Sequence, residues 1–276
     1  MRLAAEKQNV VLPLLSRDEA ANDPFMVFDE WLNSVESILL NQGRSTLLLA
    51  LDEFEALDVA LVDGTLRDHA ILGMFRHIAQ HRRTLKLMLV GSHTLGEFRR
   101  WSTYFVNAQV IELGYLSKPD IHRLISQPIA DFPLSYQPAA ISRISSLTSG
   151  HPYLLQLACA EVIVYKNSQP LSERHIATVE DVNKIIPQIL QVGQQFFIDI
   201  EMNQVDEYGR QCLLQLASKG SDGISMAALE HVSTAFGKYD TIKKLQLRNL
   251  IEIESNQCSF QIEVVRHWFS TENPYR

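Results

Sequence analysis

Cysteine is scarce in this 276-residue chain: the three present, Cys159, Cys212 and Cys258, lie far apart. No CxxC or Cys/His ligand spacing occurs among them. That excludes a disulfide framework and a cysteine-based zinc site, and leaves free thiols in a reducing cytoplasm as the expected state. Glycine and proline are also sparse, 12 and 10 residues, too few for a collagen-like or linker-like chain. No apolar run reaches the roughly 18 residues of a membrane span. The N-terminus, MRLAAEKQNVVLPLL, sets Lys7 inside its apolar stretch and has no small-residue cleavage site behind it, so no secretory leader is expected. Positive charge is not in excess: 25 Lys and Arg against 32 Asp and Glu give a net charge of −7. This argues against wholesale binding of nucleic acid or of an anionic membrane, and leaves room only for a local basic patch. Repeats and low-complexity stretches are missing too. What remains is 46% hydrophobic and 21% charged, the balance of a globular protein.

The first third of the chain alternates between strand and helix periodicity. Asn9 to Leu15 (NVVLPLL) reads as a strand, with Pro13 at an edge or an end. Phe25 to Leu40 carries Phe28, Leu32, Val35 and Leu39 at helical spacing and stops at Asn41-Gln42-Gly43. Thr46 to Leu51 (TLLLAL) is a continuous apolar run, which predicts a strand buried on both faces. Thr65 to Gln80 reads as a helix and Leu85 to Val90 (LKLMLV) as a second buried strand closed by Gly91. Glu97 to Tyr104 reads as a short helix and Gln109 to Leu113 (QVIEL) as a further strand. The alternation predicts a parallel sheet with right-handed crossovers.

The chemistry concentrates in LLLALDEFEAL. Asp52 and Glu53 stand at the carboxyl end of the first apolar strand, the edge where ligands bind in open α/β sheets. Asp52 suits Mg²⁺, a hard cation that takes oxygen ligands. Glu53 suits the orientation or activation of a water against a γ-phosphate. The plainer alternative is a solvated acidic turn. The aliphatic residues before the pair, and a following strand that ends LVGS, favour the Walker B reading. Ser92 and His93, at the end of that following strand, would suit a sensor position between metal, water and γ-phosphate. Ser92 or Thr94 equally suits a helix N-cap, and the two roles are compatible.

LLLALDEFEAL, LKLMLVGSH, VIELGYLSKPDIHRLI and TSGHPYLLQLAC together resemble the AAA+-related STAND NTPases, most of all the bacterial and archaeal AAA-like ATPases of that class. The resemblance runs from about Phe25 to the C-terminus. It implies an α/β parallel-sheet core of the ASCE (P-loop) type, an α-helical lid and a winged-helix domain, with ATP or ADP and Mg²⁺ as cofactors. It assigns Asp52 to the metal, Glu53 to catalysis, and Ser92 and His93 to the nucleotide. Gly150, His151 and Pro152 match a GxP motif whose proline approaches the adenine from the lid. As a bare tripeptide, Gly-X-Pro also marks a loop before a helix with Pro in its first turn.

One departure from the family is large. No G-x-x-x-x-G-K-[ST] occurs anywhere. Gly43-Arg44-Ser45-Thr46 lacks the lysine and the leading glycine, and Gly237-Lys238 is followed by Tyr239. The backbone donors, the lysine and the Ser/Thr of a phosphate loop are all missing. In the family that loop lies before the position of Val10. The core is therefore expected to be incomplete, and the chain to be the C-terminal portion of a signalling NTPase that cannot hydrolyse ATP by itself. The missing segment or a protein partner would complete it. The phosphate-loop strand of related cores lies between the counterparts of Leu85–Val90 and Gln109–Leu113, so these two are expected to be apart or weakly paired.

Further along, Ser117 caps a helix opened by Lys118-Pro119-Asp120. Pro138 to Thr148, Pro152 to Tyr165, and Thr178 to Ile198 with a break at Pro187 give the remaining lid helices. Arg123 and Arg143 either reach a phosphate from the lid or, the favoured reading, lie on solvated helix faces. Beyond Val205, helices at Tyr208–Ala217, Ser225–Val232 and Tyr239–Arg248 precede a hairpin, Leu250–Glu254 with Ser259–Val264, turning at Ser255-Asn256-Gln257. That succession is a winged helix. Its candidate recognition helix carries Lys243, Lys244 and Arg248, but Glu252, Glu254 and Glu263 on the wing oppose phosphate binding, so docking of a protein is preferred over DNA. Trp268 and Phe269 are expected to anchor the chain end in the core. The expected boundaries are 1–116 for the α/β core, 117–198 for the lid and 199–276 for the winged helix. The rival reading is a non-catalytic winged-helix module for protein or DNA with a relic Walker B.

Overall fold

The computed structural model describes residues 9–15, 18, 21, 23–43, 46–66, 68–82, 84–91, 99–229 and 241–270. The chain forms two compact units, residues 1–112 and 113–276, each around its own core.

In the first unit, α1 (Pro24–Asn41) begins where Asp23 accepts the Met26 N–H at 3.0 Å and Pro24 has no N–H to satisfy. Trp31, Leu32, Val35 and Leu39 form its buried stripe. It stops at Gly43, whose φ of 68° suits only glycine well. β1 (Leu47–Leu51) and β2 (Leu85–Leu89) pair in parallel, from Leu47 beside Leu85 to Leu51 beside Leu89. The crossover that a parallel pair requires holds α2 (Glu55–Val62) and α3 (Asp68–His81). After β2 comes α4 (Arg99–Tyr104). Its Trp101 is fully buried among Phe54, Phe75 and Phe105, and its indole N–H donates to Asp58 Oδ1 at 2.8 Å.

Three expectations change in this unit. The strands are not covered on both faces: Leu49 and Leu85 are buried, but Leu48 and Met88 are 57% and 47% exposed. Asn9–Leu15 joins no ladder among the described residues. Its alternation still operates, since Val10 and Leu12 are buried and Val11 is exposed, and the Pro13 carbonyl accepts the Trp31 indole N–H at 2.8 Å. Gln109–Leu113 is not a strand either. Val110, Ile111 and Leu113 are exposed, and the boundary between the units falls inside the segment. Its β-propensity has no neighbouring strand among the described residues to pair with.

The second unit opens with α5 (Lys118–Ser126), where Ser117 Oγ accepts the Asp120 N–H. β3 (Ser135–Tyr136), α6 (Pro138–Thr148) and α7 (Pro152–Ser168) follow, then β4 (Ile176–Ala177), parallel to β3. The long helix expected from Thr178 is three: α8 (Val179–Lys184), α9 (Ile186–Val192) and α10 (Gln194–Asp199). Thr178 and Asp181 close a capping box at its start, Pro187 forces the first break and Gly193 marks the second. A short π-helix (Ile200–Gln204) leads into α11 (Glu207–Ala217).

β5 (Ile224–Ser225), α12 (Thr241–Leu247), β6 (Ile251–Glu254), β7 (Gln257–Phe260) and α13 (Glu263–Phe269) complete the unit. The small sheet has the order β5-β7-β6, antiparallel throughout. Its β6–β7 turn is two residues rather than three. Ser255 and Asn256 have φ of 48° and 66°, as in the type I′ turn that matches strand twist. The hairpin also ends sooner than expected, at Phe260, and Glu263 is not on it but opens α13. Trp268 and Phe269 are buried as expected, with Trp268 stacked on Phe197 at 5.2 Å. The helices from residue 117 and the elements after residue 199 share one continuous core, from Ile121 to Phe269, rather than separate ones.

Candidate functional site

The register of β1 and β2 fixes the turn that carries the acidic pair. The Val90 N–H donates to the Leu51 carbonyl at 2.8 Å, and the Phe54 N–H donates back to the Val90 carbonyl at 3.1 Å. Asp52 and Glu53 are looped out between these two bonds, and both are exposed. Glu53 has φ of 52°, a left-handed conformation that costs a residue other than glycine about 1 kcal/mol. Its N–H donates to Asp52 Oδ1 at 3.0 Å, which ties the two residues together. Immediately after them Phe54, 6% exposed, seals the turn against Trp101 in an edge-on contact of 5.4 Å. A buried aromatic plug thus holds a strained, solvent-facing acidic turn at the carboxyl end of the sheet. The plug was missed in the sequence, although Phe54 follows the pair directly.

Gly91 shows how closely the end of β2 passes this turn. A Cβ at that position would lie 2.4 Å from Glu55 Oε2 and 2.8 Å from the Phe54 ring. The chain leaving β2 therefore runs past the start of α2. Ser92 and His93, the next two residues, lie outside the described residues.

The donor set at the turn fits a hard cation in part. Asp52 offers carboxylate oxygens and Glu53 is exposed toward solvent, but no group of three His, Cys, Asp or Glu side chains able to hold a metal occurs among the described residues. Such a cation would depend on ligands from a nucleotide and from a phosphate loop.

Gly150, His151 and Pro152 belong to the second unit and have a structural explanation. Ser149 and Gly150 both have positive φ, 48° and 75°, and carry the chain from α6 to α7. The Leu116 N–H donates to the Gly150 carbonyl at 2.9 Å. His151 is the N-cap of α7, its Nδ1 accepting the Leu154 N–H, with Pro152 in the first turn. Burial holds the His151 pKa below its ordinary value, against the opposing effect of a backbone hydrogen bond, and the rings of Tyr115 and Phe196 pack on it at 5.5 and 5.2 Å. A Cβ on Gly150 would lie 2.6 Å from Ile121 Cδ1 and 3.0 Å from the Leu116 carbonyl oxygen. Gly150→Ala is expected to destabilise the second unit by about 2–3 kcal/mol, from backbone strain plus overpacking. Urea denaturation measures this, and a loss below about 0.5 kcal/mol would show that neither constraint operates.

Arg143 is half-buried and engaged within the second unit rather than standing on a free helix face. Its guanidinium donates to both Glu263 carboxylate oxygens, at 2.6 and 2.9 Å, and its Nε donates to Asn183 Oδ1 at 2.7 Å. Arg123 is exposed on α5. The three cysteines are free, and burial pushes Cys159 up to about 12 and Cys212 and Cys258 up to about 11, so none is a reactive thiolate.

No known family's sequence profile matches the chain, and no curated protein resembles it in sequence. Its fold does have solved relatives. A Walker-type ATPase of Pyrococcus abyssi aligns over 97% of this chain and 74% of its own, at 15% identity and a TM-score of 0.57. RuvB of Thermotoga maritima, a Holliday junction branch migration motor, aligns over 98% of this chain and 91% of its own, at 13% identity and a TM-score of 0.37, too low a likeness to carry functional weight. Over most of its length the chain shares the fold of that Walker-type ATPase. No helix among the described residues is long and apolar enough to cross a membrane.

Proposed function

We propose that the chain is the Walker B, lid and winged-helix part of a STAND-class, AAA+-related NTPase, and that by itself it does not hydrolyse ATP. The observation that supports the first half is the exposed acidic pair at the carboxyl end of β1, held in a positive-φ turn beside the end of parallel β2. Metal-dependent phosphoryl transfer needs one carboxylate for the cation and one for the water, and Asp52 and Glu53 are our assignments for these roles. The second half rests on the sequence, which has no phosphate loop. The residues present therefore suit Mg²⁺ and a water, and do not suit the phosphates of ATP. A further segment or a protein partner must bring the phosphate-binding loop. With it in place, nucleotide exchange would act as a switch of the signalling type.

Purified chain is expected to show no Mg-ATP turnover above buffer. Turnover that Asp52→Asn abolishes would overturn the proposal. In a preparation complemented by the loop-bearing partner, Glu53→Gln is expected to keep nucleotide binding and slow hydrolysis by roughly 100-fold or more, because it preserves shape and removes the base. Unchanged turnover there would move the role to Ser92 or His93.

For the winged-helix part, we favour a protein partner over DNA. Of the three basic residues considered for recognition, Lys244 and Arg248 line a cavity between α12 and the turn before α11, while Lys243 is exposed. Glu252 and Glu254 remain on the hairpin. Duplex DNA is expected to bind no tighter than the roughly 10⁻⁴–10⁻⁶ M of non-specific complexes. Submicromolar binding lost in a Lys243→Ala, Lys244→Ala double variant would reverse this preference.

A further inference from the structure

The last turns of α3 carry two histidines that the acidic turn does not use. His77 and His81 are four residues apart, which places them on one face of the helix. Both are exposed, and their ring centroids lie 5.1 Å apart at a tilt of 38°. The backbone beneath them is fixed, because Ile71, Leu72, Phe75 and Ile78 of the same helix are buried in the core of the first unit. Gly73, one turn before His77, adds no side chain here, and a Cβ at that position would meet nothing within 4 Å. The surroundings favour a cation. α3 ends at His81, where its last carbonyls form the negative end of the helix dipole. Asp29 Oδ1 of α1 lies 4.0 Å from His77 Nε2. Asp29 and Glu36 both pair with Arg82, so that network sets two carboxylates against one guanidinium. Two protonated imidazoles this close would repel each other, whereas one divalent ion shared by two neutral rings brings the positive charge without the repulsion.

We propose that His77 and His81 together bind a zinc ion. In a tetrahedral site with Zn–N of about 2.0–2.1 Å, the metal stands about 3.2 Å from each ring centroid, and the two centroids are about 5.2 Å apart. The helix already holds the rings at that separation. Ligands at right angles would bring the centroids to about 4.5 Å, so the spacing suits zinc better than a square-planar or octahedral ion. Two waters complete the coordination. Asp29 accepts a hydrogen bond from one of them, the outer carboxylate that such sites use to orient a ligand. The ion thereby clips the end of α3 to α1. Mg²⁺ takes oxygen ligands and gains little from imidazole. This inference is independent of the NTPase reading, which places its cation at Asp52.

The test titrates the full chain with zinc chloride by calorimetry, with magnesium chloride as the hard-cation probe. Zn²⁺ is expected to bind with Kd of about 100 μM or tighter, and at least tenfold better than Mg²⁺. His77→Ala and His81→Ala each remove an exposed side chain, and each is expected to weaken that binding at least tenfold. His122→Ala, equally exposed but on α5 of the second unit, is expected to change it less than twofold. In NMR spectra of the wild type, Zn²⁺ should shift the imidazole signals of His77 and His81 and the amides around Asp29. It should also raise the urea midpoint of the first unit, and leave that midpoint unmoved in the His77→Ala, His81→Ala double variant. Zinc binding that persists in the double variant, or that only one of the two histidines affects, overturns the paired site. Binding of Mg²⁺ as tight as that of Zn²⁺, or no zinc binding below about 1 mM, overturns it as well.

Discussion

Arg82→Met is expected to cost the first unit about 3 kcal/mol of stability, enough to leave a marginal domain largely unfolded. Arg82 follows the end of α3 and precedes β2, and its side chain is only 4% exposed. Its guanidinium donates to Asp29 Oδ1 at 2.6 Å, the Asp29 carbonyl at 3.0 Å, Asn33 Oδ1 at 2.9 Å and Glu36 Oε2 at 2.5 Å. Glu36 also accepts from the Thr84 hydroxyl, so one network ties α1 to the start of β2. Removing the cation leaves Glu36, 19% exposed, without its main donor, whereas Asp29, 39% exposed, and the exposed Asn33 are relieved by water. That difference sets the estimate at the lower end of the roughly 3–5 kcal/mol seen when a buried pair is broken. Arg82→Lys should recover only part of the loss, because an ammonium cannot reproduce a planar fork that serves three side chains and a carbonyl. Urea unfolding followed through amide exchange in α1 and β2 measures both. Wild-type resistance in Arg82→Met, or full recovery in Arg82→Lys, would falsify the assignment.

This network shows which parts of the fold were legible from sequence. Helix starts were, because their signals are local: Asp23 before Pro24, Ser117 before Pro119, and Thr178 with Asp181 each satisfy backbone donors within three residues. The strands at Leu47–Leu51 and Leu85–Leu89 were legible as strands, but which of their faces is covered depends on other elements, and an apolar run does not encode that. Gln109–Leu113 has the composition of a strand and lacks a neighbour among the described residues. Arg82 stands in the polar run HRRT, where nothing local marks it as buried, although Asp29, Asn33 and Glu36 recur on α1 at helical spacing beside its apolar stripe, the pattern of a face awaiting a cation.

The acidic pair was legible because it directly follows an apolar strand. The positive φ of Glu53 was not, since it arises from Phe54 and Val90 lacing the turn shut. Gly-His-Pro was read through a family resemblance. The structure accounts for Gly150 by its close approach to Ile121 and Leu116, and for His151 and Pro152 by the start of α7. Glu263 was placed on the hairpin because its neighbours alternate, and its partner Arg143 lies 120 residues away, beyond any local pattern.

That pair gives the second large expected effect, a loss of stability in acid. Glu263 opens α13 and is gripped from two sides. His267 Nε2 lies 3.4 Å from its Oε1, and Arg143 donates to both oxygens. The contact with His267, and then the bonds and charge of Arg143, outweigh burial and hold the carboxyl down at about 2, against an ordinary 4.5. A group depressed in the folded state contributes stability that is complete above its unfolded pKa and is lost as pH falls through the folded one. The window is therefore from about 4.5 down to about 2. At about 1.4 kcal/mol per pH unit the ceiling is roughly 3 kcal/mol, and the 26% exposure of the side chain screens this to about 2. Other carboxylates titrate in the same range, Asp181 among them. Its burial would raise its pKa, but the bonds from Lys166 and Thr178 leave it lowered. The measurement must therefore be a difference between wild type and Glu263→Gln, read from urea unfolding of the α6 and α13 amides at several pH values. Wild type should exceed the variant by about 2 kcal/mol at pH 7, and the gap should close between about pH 4.5 and pH 2. A gap that stays constant across that range would mean that the pair contributes through packing alone, and that Arg143 and His267 do not hold the carboxylate in its charged form.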